Sequence, residues 1–150
     1  LSMPESFNLT YIGEDGKDHR AFVVHRSSIG SIERTIALLI EKHAGSFPLW
    51  LSPVQAMVLP ISDKVSAYAK EIFENLRNQG IRVEIDESNE SLGKKIRNAK
   101  TQKIPYLLVV GEKEVESKTI SLENRDRGQL GTLSIEKVQE LLLEEIRTKK

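Results

Sequence analysis

The chain predicts an α/β fold: a mainly parallel mixed sheet with helices on both faces, preceded by a β-hairpin and a helix. Three observations carry this. From residue 54 onward, apolar runs of strand length alternate with longer stretches of helical spacing. Two of those runs, 54–59 and 106–111, are apolar almost without interruption, as in strands covered on both faces. Glycine or proline punctuates most of the boundaries between them.

Residues 1–26 read as a hairpin, with strands at 9–12 and 21–24 around a turn-rich segment at 13–18. A helix follows over about 28–43, with Ile32, Ile36, Leu39 and Ile40 on one stripe and Gly45 just past its end. Ser46-Phe47-Pro48-Leu49-Trp50-Leu51-Ser52-Pro53 is bounded by prolines and cannot be regular helix, so it reads as a junction that packs through Phe47, Leu49 and Trp50. A strand at 54–59 comes next. Asp63 is placed to cap a helix running to about 79, with Tyr68, Ile72, Phe73 and Leu76 inward and Gly80 as its stop. Residues 81–85 form a second strand, 90–100 a basic helix, and 106–111 a third strand. Residues 115–122 read as a turn and short edge strand, and Ser134 caps a closing helix with Ile135, Val138, Leu141, Leu142 and Ile146 inward. The domain order is then β-α-β-α-β-β-α. In such a sheet, ligands bind beyond the carboxyl ends of the strands, here near Pro60, Asp86 and Gly111.

Composition narrows the classes. The chain has 150 residues, 39% hydrophobic and 29% charged, enough for a core without staples. It has no cysteine, so disulfides and thiol catalysis are excluded, and a reducing, cytoplasmic setting is expected. No apolar run approaches a membrane span, so no membrane partner is expected, and Leu1-Ser2-Met3-Pro4 reads as a cut inside a longer chain. The 22 basic and 22 acidic residues balance to zero, which argues against sequence-indifferent wrapping of nucleic acid and leaves room only for a local patch.

Two constellations stand out. In His25-Arg26-Ser27-Ser28-Ile29-Gly30-Ser31-Ile32-Glu33-Arg34, small residues precede a helix whose first turns carry an arginine that can aim a forked guanidinium at a phosphate. An ordinary capped helix with a surface Glu-Arg pair fits the same residues. His25 is a candidate metal ligand, but with no cysteine and only His19 and His43 besides, no zinc set converges in sequence. The second constellation is basic: Lys94, Lys95, Arg97, Lys100 and Lys103 follow Asn89 with no acidic residue between Lys94 and Lys103. Amide plus cations is the mix that reads unstacked RNA bases, and it is equally the make-up of a solvated helix face. Glu112-Lys113-Glu114-Val115-Glu116 and Arg125-Asp126-Arg127-Gly128 are polar turns that fit either use.

His25-Arg26 with Gly30-Ser31-Ile32-Glu33-Arg34 closely resembles motif 3 of the class II aminoacyl-tRNA synthetases in its threonyl form. Phe47-Pro48-Leu49-Trp50-Leu51-Ser52-Pro53-Val54-Gln55 is similar to that family's junction into its anticodon-binding domain. Gly80-Ile81-Arg82-Val83, Asn89-Glu90 with Leu92-Gly93-Lys94-Lys95-Ile96-Arg97, Ile104-Pro105-Tyr106-Leu107-Leu108-Val109-Val110-Gly111 with Lys113-Glu114-Val115, and Leu130-Gly131-Thr132 continue the likeness in order. The resemblance implies a remnant of the class II catalytic domain at 1–45, a junction at 46–53 and an anticodon-binding domain at 54–150.

The family attaches threonine to its tRNA using ATP, with zinc and magnesium as cofactors. By position, Arg34 matches the arginine that contacts ATP phosphates, Ser31 lies where the adenylate site is lined, and His25 matches a zinc ligand. Asn89, Arg97, Lys103 and Glu114 fall where the family contacts anticodon bases. Lys103 stands where arginine is also seen, and Glu123 where some members have arginine, with Arg125 a candidate substitute. The implied partners are the anticodon loop of threonine tRNA and the rest of the synthetase chain, the full enzyme being a homodimer. Motifs 1 and 2 and the other zinc ligands are not in this sequence, so the fragment alone is expected to be inactive, to need no cofactor, and to repack its apolar helix face on the anticodon domain or another copy. The same fold in a prolyl, glycyl or histidyl relative is one rival. A non-catalytic synthetase-like accessory module binding nucleic acid or protein is the alternative, and the intact His25 and Arg34 count against it.

Overall fold

The computed structural model describes residues 3–149. It divides into an N-terminal unit ending at Ile36 and a larger unit beginning at Ala37. The first unit holds a one-turn helix α1 (Met3–Ser6) and a two-stranded antiparallel hairpin, β1 (Thr10–Ile12) and β2 (Asp18–Arg20). The second strand therefore falls earlier than the apolar run at 21–24 predicts. The reason is local: Asp15 Oδ1 accepts from the Lys17 N–H at 3.1 Å and the Gly13 N–H donates to the Lys17 carbonyl at 2.9 Å. That tight turn sets His19 opposite Tyr11. Residues 21–31 then run without regular structure, and Phe22 and Val24 are exposed.

The helix α2 (Ile32–His43) starts four residues later than its spacing suggests. Along its apolar stripe Ile32 is 65%, Ile36 50% and Ile40 49% exposed, and Leu39 is half-buried.

In the larger unit the strands are β3 (Ala56–Pro60), β4 (Val83–Ile85), β5 (Tyr106–Val110), β6 (Thr119–Asn124) and β7 (Gly128–Ser134), in the order β4-β3-β5-β6-β7. The β3 strand pairs in parallel with β4 and β5, and β6 and β7 add antiparallel, giving the mixed sheet. All five residues of β3 are buried, as its unbroken apolar run requires. Side chains alternate across it. Ala56 and Val58 face helices α3 (Ser66–Asn78) and α6 (Ile135–Thr148), through Ala69, Ile72, Leu76, Val138 and Leu142. Met57 and Leu59 face α4 (Leu92–Thr101), through Leu92, Ile96 and Ala99. Helices thus cover both faces.

Three local expectations are corrected. Asp63 does not cap α3; it opens a 3-10 turn (Asp63–Val65) that leads into the helix. Residues 115–122 are not a turn and edge strand. They split between a short helix α5 (Glu112–Ser117) and β6, an interior strand. The true edge, β7, was hidden by glycines: Gly128 and Gly131 take φ of +75° and +90°, and the register slips between Leu122 and Glu123. A bulged, glycine-bearing edge lacks the alternation by which strands are read. Of the three residues through which the junction is expected to pack, Leu49 is buried in the core and Phe47 is half-buried, but Trp50 is 38% exposed.

Tyr106 is buried at the start of β5 and donates its hydroxyl to Glu145 Oε2 at 2.7 Å. Burial, reinforced by that carboxylate, pushes the phenol above its ordinary range. A raised acid is stabilised in its protonated form, so its contribution is intact below the unfolded value of about 10 and lost as pH rises beyond it. Urea midpoints should therefore fall above about pH 10, and fall less steeply in Tyr106→Phe. Leu108→Ala should lower stability by about 2–5 kcal/mol, measured by denaturant unfolding, because Leu108 is fully enclosed.

Candidate functional site

From β3 the chain passes through α3 to β4 on one side; from β5 it passes through α5 to β6 on the other. The connections diverge between the carboxyl ends of β3 and β5, where an open α/β sheet offers a crevice. Ile61 bridges that point, its N–H donating to the Val110 carbonyl at 3.0 Å. Ile61 and Ser62 line two adjoining hollows. One, of about 310 Å3, takes in Pro60, Asp63, Ser66, Glu87, Ser88, Asn89, Glu90 and Lys95. The other, of about 520 Å3, takes in Gly111, Glu112, Lys113 and Glu114. Both segments that the strand ends single out, after Asp86 and after Gly111, therefore border this site.

Asn89 is exposed on a loop shaped by Asp86, whose Oδ1 accepts from the Ser88 N–H at 2.9 Å. Glu114 is half-buried. Its Oε2 accepts from the Gly111 N–H at 2.9 Å, so it closes the first turn of α5 and shapes the loop after β5. Asn89 and Glu114 are thus brought to one end of the sheet, on either side of Ile61-Ser62. Arg97 lies exposed in the middle of α4.

Lys103 is not gathered with them. It follows the far end of α4, about 15 Å along the helix, near the amino end of β5. Its ammonium donates to the Ala44 carbonyl, and its own carbonyl accepts from Arg125 Nη1 at 2.8 Å. Arg125 Nη2 reaches the Phe47 carbonyl at 3.1 Å, and the guanidinium also pairs with Asp126. Arg125, weighed in sequence as a substitute base contact, has its fork occupied in fastening residues 44–47 to the domain. Arg82 does the same farther along, donating to the Ser52 carbonyl at 2.9 Å and the Trp50 carbonyl at 2.8 Å. Gln55, buried, completes the fastening: it donates to the Leu49 carbonyl and accepts from the Arg82 N–H, each at 2.9 Å.

The basic run is largely committed internally. Lys94 pairs with Glu90 at 2.7 Å and Lys100 with the buried Glu123 at 2.6 Å. Lys95 is buried and bridges the Pro60 and Asp86 carbonyls. Among the described residues, Arg97 is the member of the run whose cationic group has no hydrogen bond or ion pair to the protein. Lys95 was missed as a special residue, although its position signals it. Leu92, Lys95, Ile96 and Ala99 share the inward stripe of α4, so a lysine stands where the helix faces the sheet.

Ser31, Arg34 and His25 belong to the N-terminal unit and are exposed. Ser31 Oγ donates to Glu33 Oε2 at 2.6 Å at the start of α2. Among the described residues no three His, Cys, Asp or Glu converge, so the residues present do not by themselves fit a zinc centre.

The family model for the anticodon binding domain matches residues 55–145. The chain belongs to the anticodon-binding domain family. Its matched span opens at Gln55, the buried amide of the junction, and closes at Glu145, the acceptor of the Tyr106 hydroxyl. Threonine–tRNA ligases are its relatives: that of Carboxydothermus hydrogenoformans is 51% identical over 150 residues, and that of Caldanaerobacter subterraneus subsp. tengcongensis 52% identical over 149. The chain spans about a quarter of their length, 24% and 23%. Among solved structures, the RNA binding domain of threonyl-tRNA synthetase from Cryptosporidium parvum Iowa II matches with a TM-score of 0.75 and 35% identity, over 95% of this chain and 36% of that one. No helix among the described residues is long and apolar enough to cross a membrane.

Arg125→Ala should lower stability by about 1–3 kcal/mol, since two backbone carbonyls lose a charged donor. Amide hydrogen exchange should accelerate around Ala44–Phe47 while the β3 and β5 amides stay protected.

Proposed function

We propose that this chain is the anticodon-reading end of a threonine–tRNA ligase, the enzyme that joins threonine to its tRNA with ATP. What supports the reading is the placement of Asn89 and Glu114 in two adjoining hollows on either side of Ile61-Ser62, where the sheet's connections diverge. Unstacked loop bases are read by base-edge hydrogen bonds with phosphate contacts beside them. Asn89 supplies an amide for a base edge and Glu114 holds the neighbouring loop, with its second carboxylate oxygen available to a base N–H. Arg97, exposed on α4, takes a phosphate or base. Lys103 contributes from the edge and would exchange the Ala44 carbonyl for RNA.

The domain division that goes with this reading is a catalytic remnant at 1–45, a junction at 46–53 and the anticodon-binding domain at 54–150. In the complete ligase, Arg34 would face ATP phosphates, Ser31 the adenylate and His25 zinc, with magnesium accompanying ATP. These three residues would act with the rest of the synthetase chain, in a cytoplasmic homodimer. By itself the fragment is proposed to make no aminoacyl-adenylate. The accessory-module alternative is not favoured by the family match or by the relatives.

The test is binding of this chain to threonine tRNA and to the same tRNA with a changed anticodon, at low and moderate salt. Wild type should prefer the threonine anticodon, and both affinities should fall with salt. Asn89→Ala should remove about 1–3 kcal/mol of that preference without unfolding the protein. Indifference to the anticodon in wild type at low salt would sink the reading.

A further inference from the structure

Lys95 is a cation in an unusual place. It is 5% exposed, sits on the inward stripe of α4, and forms part of the wall of the hollow beside Asn89. Its ammonium donates to the Asp86 carbonyl at 2.9 Å and the Pro60 carbonyl at 3.2 Å, at the carboxyl ends of β4 and β3. Two of its three N–H groups are thereby used. Among the described residues no carboxylate lies within ion-pair distance of it: Glu90 is paired with Lys94, Glu87 with Lys70, and Asp86 turns its carboxylate to Ser88. A buried cation held only by carbonyl dipoles is costly for a purely structural rivet, because a neutral side chain avoids the desolvation.

We infer that Lys95 is a specificity residue of the anticodon site: its third N–H donates to the carbonyl of one nucleobase inserted into the hollow. This rests on the anticodon reading proposed above. A phosphate fits less well, because Asp63, Glu87 and Glu90 border the same hollow and would face a second anion. A neutral base meets no such repulsion. Lys95 and Asn89 offer donors, and Asp63 offers an acceptor. That wall suits a base edge with a carbonyl beside a ring N–H, which guanine and uracil have and adenine and cytosine lack. Threonine codons begin with adenine and cytosine, so their anticodons carry uracil and guanine.

The experiment titrates this chain with an anticodon stem-loop RNA bearing the threonine anticodon. Two further loops replace guanine by 6-thioguanine or uracil by 4-thiouracil, each keeping its ring N–H but presenting sulfur, a weak hydrogen-bond acceptor, in place of O6 or O4. Wild type should bind one of them on the order of tenfold more weakly, the size of a charged hydrogen bond lost. Lys95→Met should bind the natural and the modified loop equally. A merely structural lysine would lower the melting temperature and leave the tenfold ratio in place, and that result overturns the inference. If Lys95→Met does not fold, the side-chain 15N resonance of Lys95 in wild type decides. It should shift with the natural loop and not with the modified one; equal shifts, or none, overturn the inference. A wild type that also fails to distinguish the threonine anticodon from a changed one removes the anticodon reading itself, and this inference with it.

Discussion

Parallel pairing along both edges of β3 is the constraint on which the rest of the larger unit depends. A parallel neighbour can be reached only by a crossover, and two crossovers leaving β3 and β4 must pass over opposite faces of the sheet. Helix α3 covers one face and α4 the other, which explains why every residue of β3 is buried. The same geometry leaves a gap at the carboxyl ends, because β3 feeds one way and β5 the other. Ile61-Ser62 occupies the gap, and the loops ending β4 and β5 close around it.

The charge of the α4 run goes mostly to holding the chain to itself. The basic run of α4 predicts a positive surface, yet Lys94 and Lys100 meet carboxylates and Lys95 and Lys103 meet backbone carbonyls. Arg82 and Arg125 bind the junction, so residues 44–53 are part of the domain's fold rather than a loose tether. A net charge of zero leaves little long-range attraction for a polyanion, so the proposed recognition rests on geometry at the sheet end.

Much of this was legible in the sequence. The apolar runs at 54–59 and 106–111 are strands because both their faces are covered, and the spacing of Ile72, Leu76, Val138 and Leu142 places those residues in the core they occupy. The packing of Leu49 followed from an apolar residue between prolines. What sequence could not yield depended on partners distant along the chain. The edge strand β7 carries glycines that spoil its alternation, and α5 is too short and too charged to leave a helical period. At the site, Asn89 was singled out beside the basic run and Glu114 from a resemblance, and their placement on either side of Ile61-Ser62 follows from the topology. The commitment of Lys103 and Arg125 to carbonyls of residues 44 and 47 was invisible, because those carbonyls lie more than fifty residues away in the chain. Lys95 was the exception: its place on the α4 stripe was readable and was read only as one more surface cation.

The most direct measurement of the central claim is backbone NMR of this chain titrated with an anticodon stem-loop of threonine tRNA. If the sheet end is the reading site, the largest amide shifts fall on Ile61-Ser62, on the loop from Glu87 to Glu90, and on Gly111 to Glu114. Shifts concentrated instead on α2, or around Ala44, Lys103 and Arg125 at the opposite end of the sheet, would contradict it.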